Sequence, residues 1–150
     1  IVMEFDKEFL GKLLEQAMEN PRLRQNFDLR TSSADTSQRM LNALQPQTEV
    51  SIHRHEKTAE TVICLVGKLE EIIYEEVNEY VHEATSCCDD VIRQKSFKEV
   101  SRQVLSPAEG KFGIQIPAGA WHTINVIEPS VIFEAKDGAY NEFGNTTDKK

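Results

Sequence analysis

Three histidines and one glutamate are spaced in the sequence so that they could share a metal ion. His53 and His55 are two residues apart, and side chains two apart on a strand point to the same face. Glu60 follows the polar residues 56–59, which can turn and bring a second strand back beside the two histidines. His122 comes later, directly after a Pro/Gly turn. The sequence therefore predicts a site with three imidazoles and one carboxylate.

This donor set suits one divalent transition metal. Neutral imidazoles and a carboxylate bind Fe, Mn, Ni, Cu or Zn, whereas Ca prefers oxygen ligands alone. The spacing does not distinguish between these five metals.

The spacing resembles the two motifs of the cupin superfamily. The first half reads His-x-His, four residues, Glu, six residues, Gly, and it ends at Gly67. The second half reads Pro-x-Gly, two residues, His, and it ends at His122. The glycine that usually stands six places before the first histidine is Gln47 in this chain. The resemblance implies an all-β fold, the double-stranded β-helix or jelly-roll barrel, with His53, His55, Glu60 and His122 as the metal ligands.

Longer segments are similar to the WbuC family of cupin-fold metalloproteins, some of which are encoded in bacterial O-antigen clusters. The similar segments are residues 39–44, 46–55, 116–123 and 133–140, and the resemblance covers most of the chain from about Pro21 to Tyr140. It implies a metal, a surface-polysaccharide context and a carbohydrate-like ligand. Because cupins commonly pair through sheet edges, it also implies a homodimer.

The elements that must position these residues are one helix followed by short strands. Apolar residues from Phe9 to Met18 fall on one stripe, which predicts a helix from Asp6 to Asn20. Gly and Pro turns then separate short apolar runs, as is typical of a β-sandwich or barrel. The predicted strands are residues 40–44, 49–55, 60–66, 69–75, 97–105, 112–116, 121–126 and 131–136.

The remaining segments are predicted to be less regular. Residues 21–38 are polar and indicate a connector, and residues 76–94 indicate an extended hairpin tip or a mobile loop. We expect three parts in the chain. They are an N-terminal helix in residues 1–20, a cupin metal-binding domain in residues 21–140 and a polar tail in residues 141–150.

Other polar side chains are candidates to line the barrel. The candidate acids, bases or substrate-holding groups are Glu49, Glu134, Lys136 and Tyr140. The candidates for binding a ligand at the mouth are Arg24, Asn26 and Arg39, since arginine grips carboxylate or phosphate with a fork of donors. We expect Arg54 to point away from the site and His82 to lie on the surface.

Charge and composition exclude several classes of partner. A net charge of -8 and a pI of about 5.0 argue against nucleic acid, whose phosphates require clustered lysine and arginine. No apolar run approaches the roughly 20 residues that span a bilayer, and residues 1–5 lack the pattern of a secretory signal. We therefore expect a cytoplasmic protein without a membrane partner.

The cysteines suggest neither a disulfide framework nor a zinc knuckle. There are 3 cysteines, an odd number, and they include no C-x-x-C spacing. Cys64 is predicted to be a buried apolar residue, while the roles of Cys87 and Cys88 stay open.

Three functions are compatible with such a site. A metal with one or two open positions can polarise a carbonyl or hold an enediolate, which would serve isomerisation or epimerisation of a sugar or sugar nucleotide. The same ligands with iron and dioxygen would serve a dioxygenase. A non-enzymatic sugar-binding or sensing module, or a structural metal, is the third alternative, so the sequence leaves open whether the chain is an enzyme.

Overall fold

Antiparallel strands make up most of the chain in the computed structural model, which describes residues 1–84, 87, 89–138 and 145–147. The described residues form one α-helix, α1 (Lys7–Glu19), and eight strands. The strands are β1 (Arg24–Asp28), β2 (Ser37–Leu44), β3 (His53–His55), β4 (Glu60–Ala84), β5 (Asp89–Leu105), β6 (Gly113–Ile116), β7 (Trp121–Asp137) and β8 (Asn145–Thr147). A short 3-10 helix, Pro107–Glu109, joins β5 to β6.

Helix α1 begins and ends where the sequence predicts. The Asp6 side chain accepts a hydrogen bond of 2.8 Å from the backbone N–H of Phe9, which satisfies one of the free donors of the first turn. Asn20 is extended, and Pro21 follows it, so the helix cannot continue. None of the described helical segments is long and apolar enough to span a bilayer.

The helix packs on the outer face of the sheet formed by β1, β2 and β7. Leu13 and Ala17 of the helix are buried in one cluster with Leu41, Ala43 and Val131 of the strands. Because side chains alternate along a strand, the residues between these strand positions point to the opposite side. That opposite side is the interior of the β-structure.

Strand β7 runs through the whole β-structure. Its first half pairs with β3 and with the later part of β4, and its second half pairs with β2 and the beginning of β4. The sheet is thereby folded around an interior apolar cluster. This cluster consists of Leu44, Val62, Cys64, Leu69, Leu105, Ile116, Val126 and Ile132.

Strand β4 is longer than predicted and contains no turn at Gly67. Its register with β7 shifts at three places between Cys64 and Leu69, so the strand bends without reversing. Gly67 has a φ of 96°, and a side chain there would overlap the backbone oxygen of Pro129. Glycine is therefore required for the close approach of the two strands.

The prediction for residues 21–38 was wrong in part, because it omitted β1. This short polar strand pairs with β2 from Arg24↔Leu44 to Asp28↔Met40. The predicted strand over residues 49–55 is also shorter, since β3 begins only at His53. The carbonyl of Val50, before β3, accepts a hydrogen bond of 2.6 Å from the hydroxyl of Thr123 on β7.

The described residues between positions 76 and 94 belong to a long hairpin of β4 and β5. The register of β4 with β5 continues to Ala84↔Asp89, whereas the register of β4 with β7 ends at Tyr74↔Trp121. Beyond this last pair, the described part of the hairpin is a two-stranded ribbon. Of the two alternatives given for this segment, the hairpin is the one observed.

Candidate metal centre

Three imidazoles converge at one end of the interior. His53 is the register partner of His122, so both side chains lie on the same face of the sheet, and His55 joins them from two residues along β3. One ring nitrogen from each of the three lies within 4.8 Å of the others. The ring centroids are 4.3 Å apart for His53 and His122, and 5.5 Å apart for His55 and His122. This geometry would let one ion contact all three rings.

Backbone carbonyls orient two of the rings. Nδ1 of His53 lies 2.8 Å from the carbonyl oxygen of Ser51, and Nδ1 of His122 lies 2.9 Å from that of Ala120. Because a carbonyl oxygen only accepts, each Nδ1 must donate. In the neutral ring, the lone pair is then on Nε2, which is the form that a metal requires.

The Glu60 carboxylate completes the cluster. Oε2 of Glu60 lies 2.7 Å from Nε2 of His55 and 3.7 Å from Nε2 of His122, and the residue is 7% exposed. This oxygen is buried, and these two imidazole nitrogens are its close polar neighbours. A buried carboxylate oxygen that converges with imidazole nitrogens in this way can share a cation with them. The donor set therefore fits a divalent transition metal.

The charges of these groups also suit a metal. Burial acts to raise the pKa of Glu60, but the imidazoles of His122 and His55 outweigh it and hold the pKa below its ordinary value. Burial, and next the imidazole of His122, lower the pKa of His53 from 6.5 to about 4. At neutral pH the Glu60 carboxylate is thus ionised and the His53 imidazole is neutral. These are the forms of the two groups that bind a metal.

Arg54 anchors β3 from the outer side. It lies between the two histidines of the strand and points away from them, as predicted from alternation. Its guanidinium is 4.6 Å from the ring centroid of Trp121, and it forms an ion pair of 3.1 Å with Glu56. Lys95, from β5, lies over the same indole ring at 4.6 Å. Strand β3 is therefore held by contacts outside the cluster.

Two of the candidate catalytic residues face the interior. Glu134 and Lys136 alternate with outward residues of β7 and share the side of Ile132, which belongs to the interior cluster. Lys136 is the register partner of Glu60 and donates a hydrogen bond of 3.1 Å to the carbonyl of Gly138. Burial and the negative charge of Glu60 raise the pKa of Glu134 from 4.5 to about 8. Burial lowers the pKa of Lys136.

Sequence reasoning missed Glu71. This residue of β4 is 2% exposed and lies on the side of Leu69, which belongs to the interior cluster. Its register partner on β7 is Ile124, two residues from His122. Burial, with the negative charges of Glu60 and Glu134, raises the pKa of Glu71 well above its ordinary value. The preceding residue is also a glutamate, and no signal in the sequence distinguishes the two.

The structure does not place Glu49 and Arg39 with the histidines. Glu49 is exposed and precedes β3 instead of belonging to it. Arg39 is the register partner of Ala135, so it faces the outer side, where it forms an ion pair of 2.7 Å with Asp35. Glu49 lies apart from the histidines because β3 starts only at His53, and Arg39 lies apart because it is on the outer side of β2.

Arg24 and Asn26 lie at the edge of the sheet. Their register partners are Leu44 and Asn42, so they are on the interior side of β1, which is one strand beyond β2. Both line a surface depression of ≈ 220 Å³ together with Asn20, Arg22 and Gln25. None of the histidines lines this depression.

The other singled-out residues take no part in the described cluster. His82 is exposed on the ribbon, and Cys87 is exposed near its tip. Cys64 is buried, and burial raises its thiol pKa to about 11. Tyr140, Cys88 and nearly all of the predicted tail lie outside the described residues.

Known structures share this architecture. A cupin-2 domain protein of Rhodospirillum rubrum matches with a TM-score of 0.51 and 12% identity, over 85% of this chain and 66% of that chain. A cupin 2 domain-containing protein of Halorhodospira halophila matches with a TM-score of 0.54 and 15% identity, over 84% of this chain and 69% of that chain. An oxalate oxidase in complex with the substrate analogue glycolate matches with a TM-score of 0.54 and 11% identity, over 85% of this chain and 56% of that chain.

These similarities show the fold alone, because the identities are low. The chain spans 66% of the length of the Rhodospirillum rubrum protein and 56% of that of the oxalate oxidase. No curated protein matches the chain by sequence. A family model, described as "Domain of unknown function (DUF6016)", matches residues 5–85. The predicted all-β cupin fold with an N-terminal helix is thus confirmed, and the chain belongs to the DUF6016 family.

Proposed function

We propose that this chain is a cupin-fold metalloprotein in which His53, His55, His122 and Glu60 hold one divalent transition metal, Fe, Mn, Ni, Zn or Cu. The observation that carries the proposal is the convergence of three ring nitrogens within 4.8 Å, with the buried Oε2 of Glu60 beside two of them. Nitrogen-rich donor sets of this kind favour transition metals over magnesium and calcium.

The proposed chemistry is isomerisation or epimerisation of a carbohydrate-like ligand, either a sugar or a sugar nucleotide. When bound, the metal would supply Lewis acidity toward a carbonyl group of the ligand. Glu134 would move the proton, since its raised pKa of about 8 lies near neutral pH, where a general acid or base works best. Lys136, beside Glu60, would orient an oxygen of the ligand. The resemblance to the WbuC family supports a role in bacterial surface-polysaccharide metabolism.

The metal assignment is tested by the metal content of purified variants. We expect His55→Ala to lose most of its metal, because it removes one of four ligands. Groups that merely support a ligand already contribute about 10- to 100-fold in affinity, and a ligand itself should contribute more. His82→Ala is the matched control, since His82 is exposed on the ribbon. Equal metal loss in the two variants would contradict the assignment.

Catalysis is tested separately from metal binding. Incubation of the metal-loaded protein with a set of sugars, followed by proton NMR, should reveal an isomerised or epimerised product. Binding without turnover would instead support the sugar-binding or sensing alternative. Oxygen uptake by the Fe(II)-loaded protein would indicate the dioxygenase alternative.

We further propose a cytoplasmic homodimer. Strand β1 ends the described sheet on one side, and a sheet edge offers unpaired backbone groups to a second copy. The division into a helix in residues 1–20, a metal-binding domain in residues 21–140 and a tail in residues 141–150 is also part of the proposal. Light scattering of the purified protein measures the subunit number, and a monomer at all concentrations would contradict the dimer.

A further inference from the structure

Hydrogen-bond acceptors without donors line the interior of the β-structure. In the part of the chain that the structure describes, three buried acceptor atoms of other residues have no hydrogen-bond partner. They are Oε1 of Gln38, Oδ1 of Asn42 and Oε2 of Glu71. Buried polar atoms in proteins are normally paired, so several unpaired acceptors in one region call for an explanation. A ligand that carries donors would provide one.

These acceptors are on the interior side of their strands. Gln38 and Asn42 share the side of β2 with Leu44, and Glu71 shares the side of β4 with Leu69. Both leucines belong to the interior apolar cluster. The acceptors thus lie on two strands that face the interior, and their own backbones do not satisfy them.

A second metal ion does not account for this arrangement. Three glutamates face the interior, at positions 60, 71 and 134, but carboxylates that share an ion must bring their oxygens close together. Among the described residues, the three histidines are the group whose ligand atoms approach within 4.8 Å of one another. The three glutamates do not form such a group among these residues.

The unpaired atoms also limit the chemistry of that ligand. A dicarboxylate offers acceptors only, so it would supply no donor to the amide oxygens of Gln38 and Asn42. Arg39 and Arg54 face the outer side, and Lys136, on the interior side of β7, donates a hydrogen bond to the carbonyl of Gly138. A ligand with several hydroxyl groups brings one donor with each of them.

We propose that Glu71, Gln38 and Asn42 form a recognition site that accepts hydrogen bonds from the hydroxyl groups of a neutral polyhydroxylated ligand. Glu134, on β7, the strand that pairs with β2, completes the site. This inference rests on the proposed function in that the same ligand would reach the metal centre. It adds the residues that determine which ligand enters.

Xylitol and pentane-1,5-diol are suitable probes, because they share a five-carbon chain and differ in the three middle hydroxyl groups. Calorimetric titration of the metal-loaded protein should show xylitol binding at least about tenfold more tightly, since each hydrogen bond to a buried group contributes up to about tenfold in affinity. Glu71→Leu should weaken xylitol binding by about tenfold and leave the diol nearly unchanged. Glu70→Gln is the control, because Glu70 faces outward and accepts hydrogen bonds from Asn125 and Arg102.

The melting temperature supplies a second measurement. Glu71→Leu should raise the melting temperature of the ligand-free protein by about 2 to 4 °C, because it replaces a buried unpaired carboxyl group with an apolar side chain of similar size. A residue with a purely structural role would lower it. If this variant does not fold, Asn42→Leu carries the same expectations, since its acceptor oxygen is also buried and unpaired.

Three results would overturn the inference. The first is that xylitol does not bind at concentrations up to about 100 mM. The second is equal affinity for xylitol and the diol. The third is unchanged xylitol binding in Glu71→Leu. The metal centre is judged independently from metal content. A protein that binds xylitol selectively but holds no metal would refute the proposed function alone, whereas a metal-loaded protein without this selectivity refutes the recognition site.

Discussion

The protonation of Glu134 should make the metal-free protein lose stability as the pH rises above neutral. The pKa of this carboxyl is raised from 4.5 to about 8 by burial and by the negative charge of Glu60. The folded chain therefore holds the proton more tightly than the unfolded chain does. Such a group stabilises the fold fully below its unfolded pKa, and this stabilisation is lost as the pH rises through the folded pKa.

The size of the effect follows from the two pKa values. Each pH unit between about 8 and 4.5 corresponds to about 1.4 kcal/mol, which gives at most about 5 kcal/mol in the free energy of unfolding. His53 acts in the opposite direction, because its pKa is lowered from 6.5 to about 4 and stability rises with pH over that range. Measurements above about pH 6.5 avoid the contribution of His53. Between this pH and the pKa of Glu134, the Glu134 carboxyl still changes the free energy of unfolding by about 2 kcal/mol.

Urea unfolding of the metal-free wild type and of Glu134→Gln, from about pH 6.5 to 8.5, tests the prediction. Glutamine keeps the size and polarity of the side chain but cannot ionise. We expect the variant to gain about 2 kcal/mol over the wild type across this range, and Glu70→Gln to stay parallel to the wild type. A difference between wild type and Glu134→Gln that does not change with pH would refute the reasoning. Bound metal should reduce the slope, since a nearby cation favours the ionised carboxylate.

Other substitutions test the fold. Gln47→Gly should stabilise the protein by about 0.5 to 1 kcal/mol, because Gln47 has a φ of 74°, which an L-residue adopts at a cost. Gly67→Ala should destabilise it by about 2 kcal/mol or more, since the new side chain would overlap the Pro129 backbone. Leu41→Ala should cost about 2 to 5 kcal/mol, because Leu41 is 0% exposed between helix and sheet. Thermal unfolding measures all three, and a melting temperature shifted in the opposite direction would contradict the corresponding prediction.

The parts of the site that depend on local spacing could be predicted from the sequence. Residues two apart, such as His53 and His55, must share a face wherever the chain is extended. The position of Gln47 was also informative. A glycine usually stands there in cupins, and the structure shows the left-handed conformation that favours glycine, with another residue adopting it.

The parts that depend on register could not be predicted. Glu70 and Glu71 face opposite sides, and which of them faces inward is decided by the register shifts between Cys64 and Leu69. The sequence contains no marker for these shifts. Strand β1 was missed for a related reason, since it is short and polar and exists by pairing with β2. Long-range pairing, more than propensity, determines such edge strands.

The anchoring of Arg54 on Trp121 has a consequence for how an ion would be captured. Strand β3 has three residues, and Arg54 is the middle one, so fixing its side chain on the indole also fixes the direction of its two neighbours. The imidazoles are thereby preorganised by groups that never touch the ion. A preorganised cage loses little conformational entropy on binding, and its rigid spacing discriminates between ions by radius.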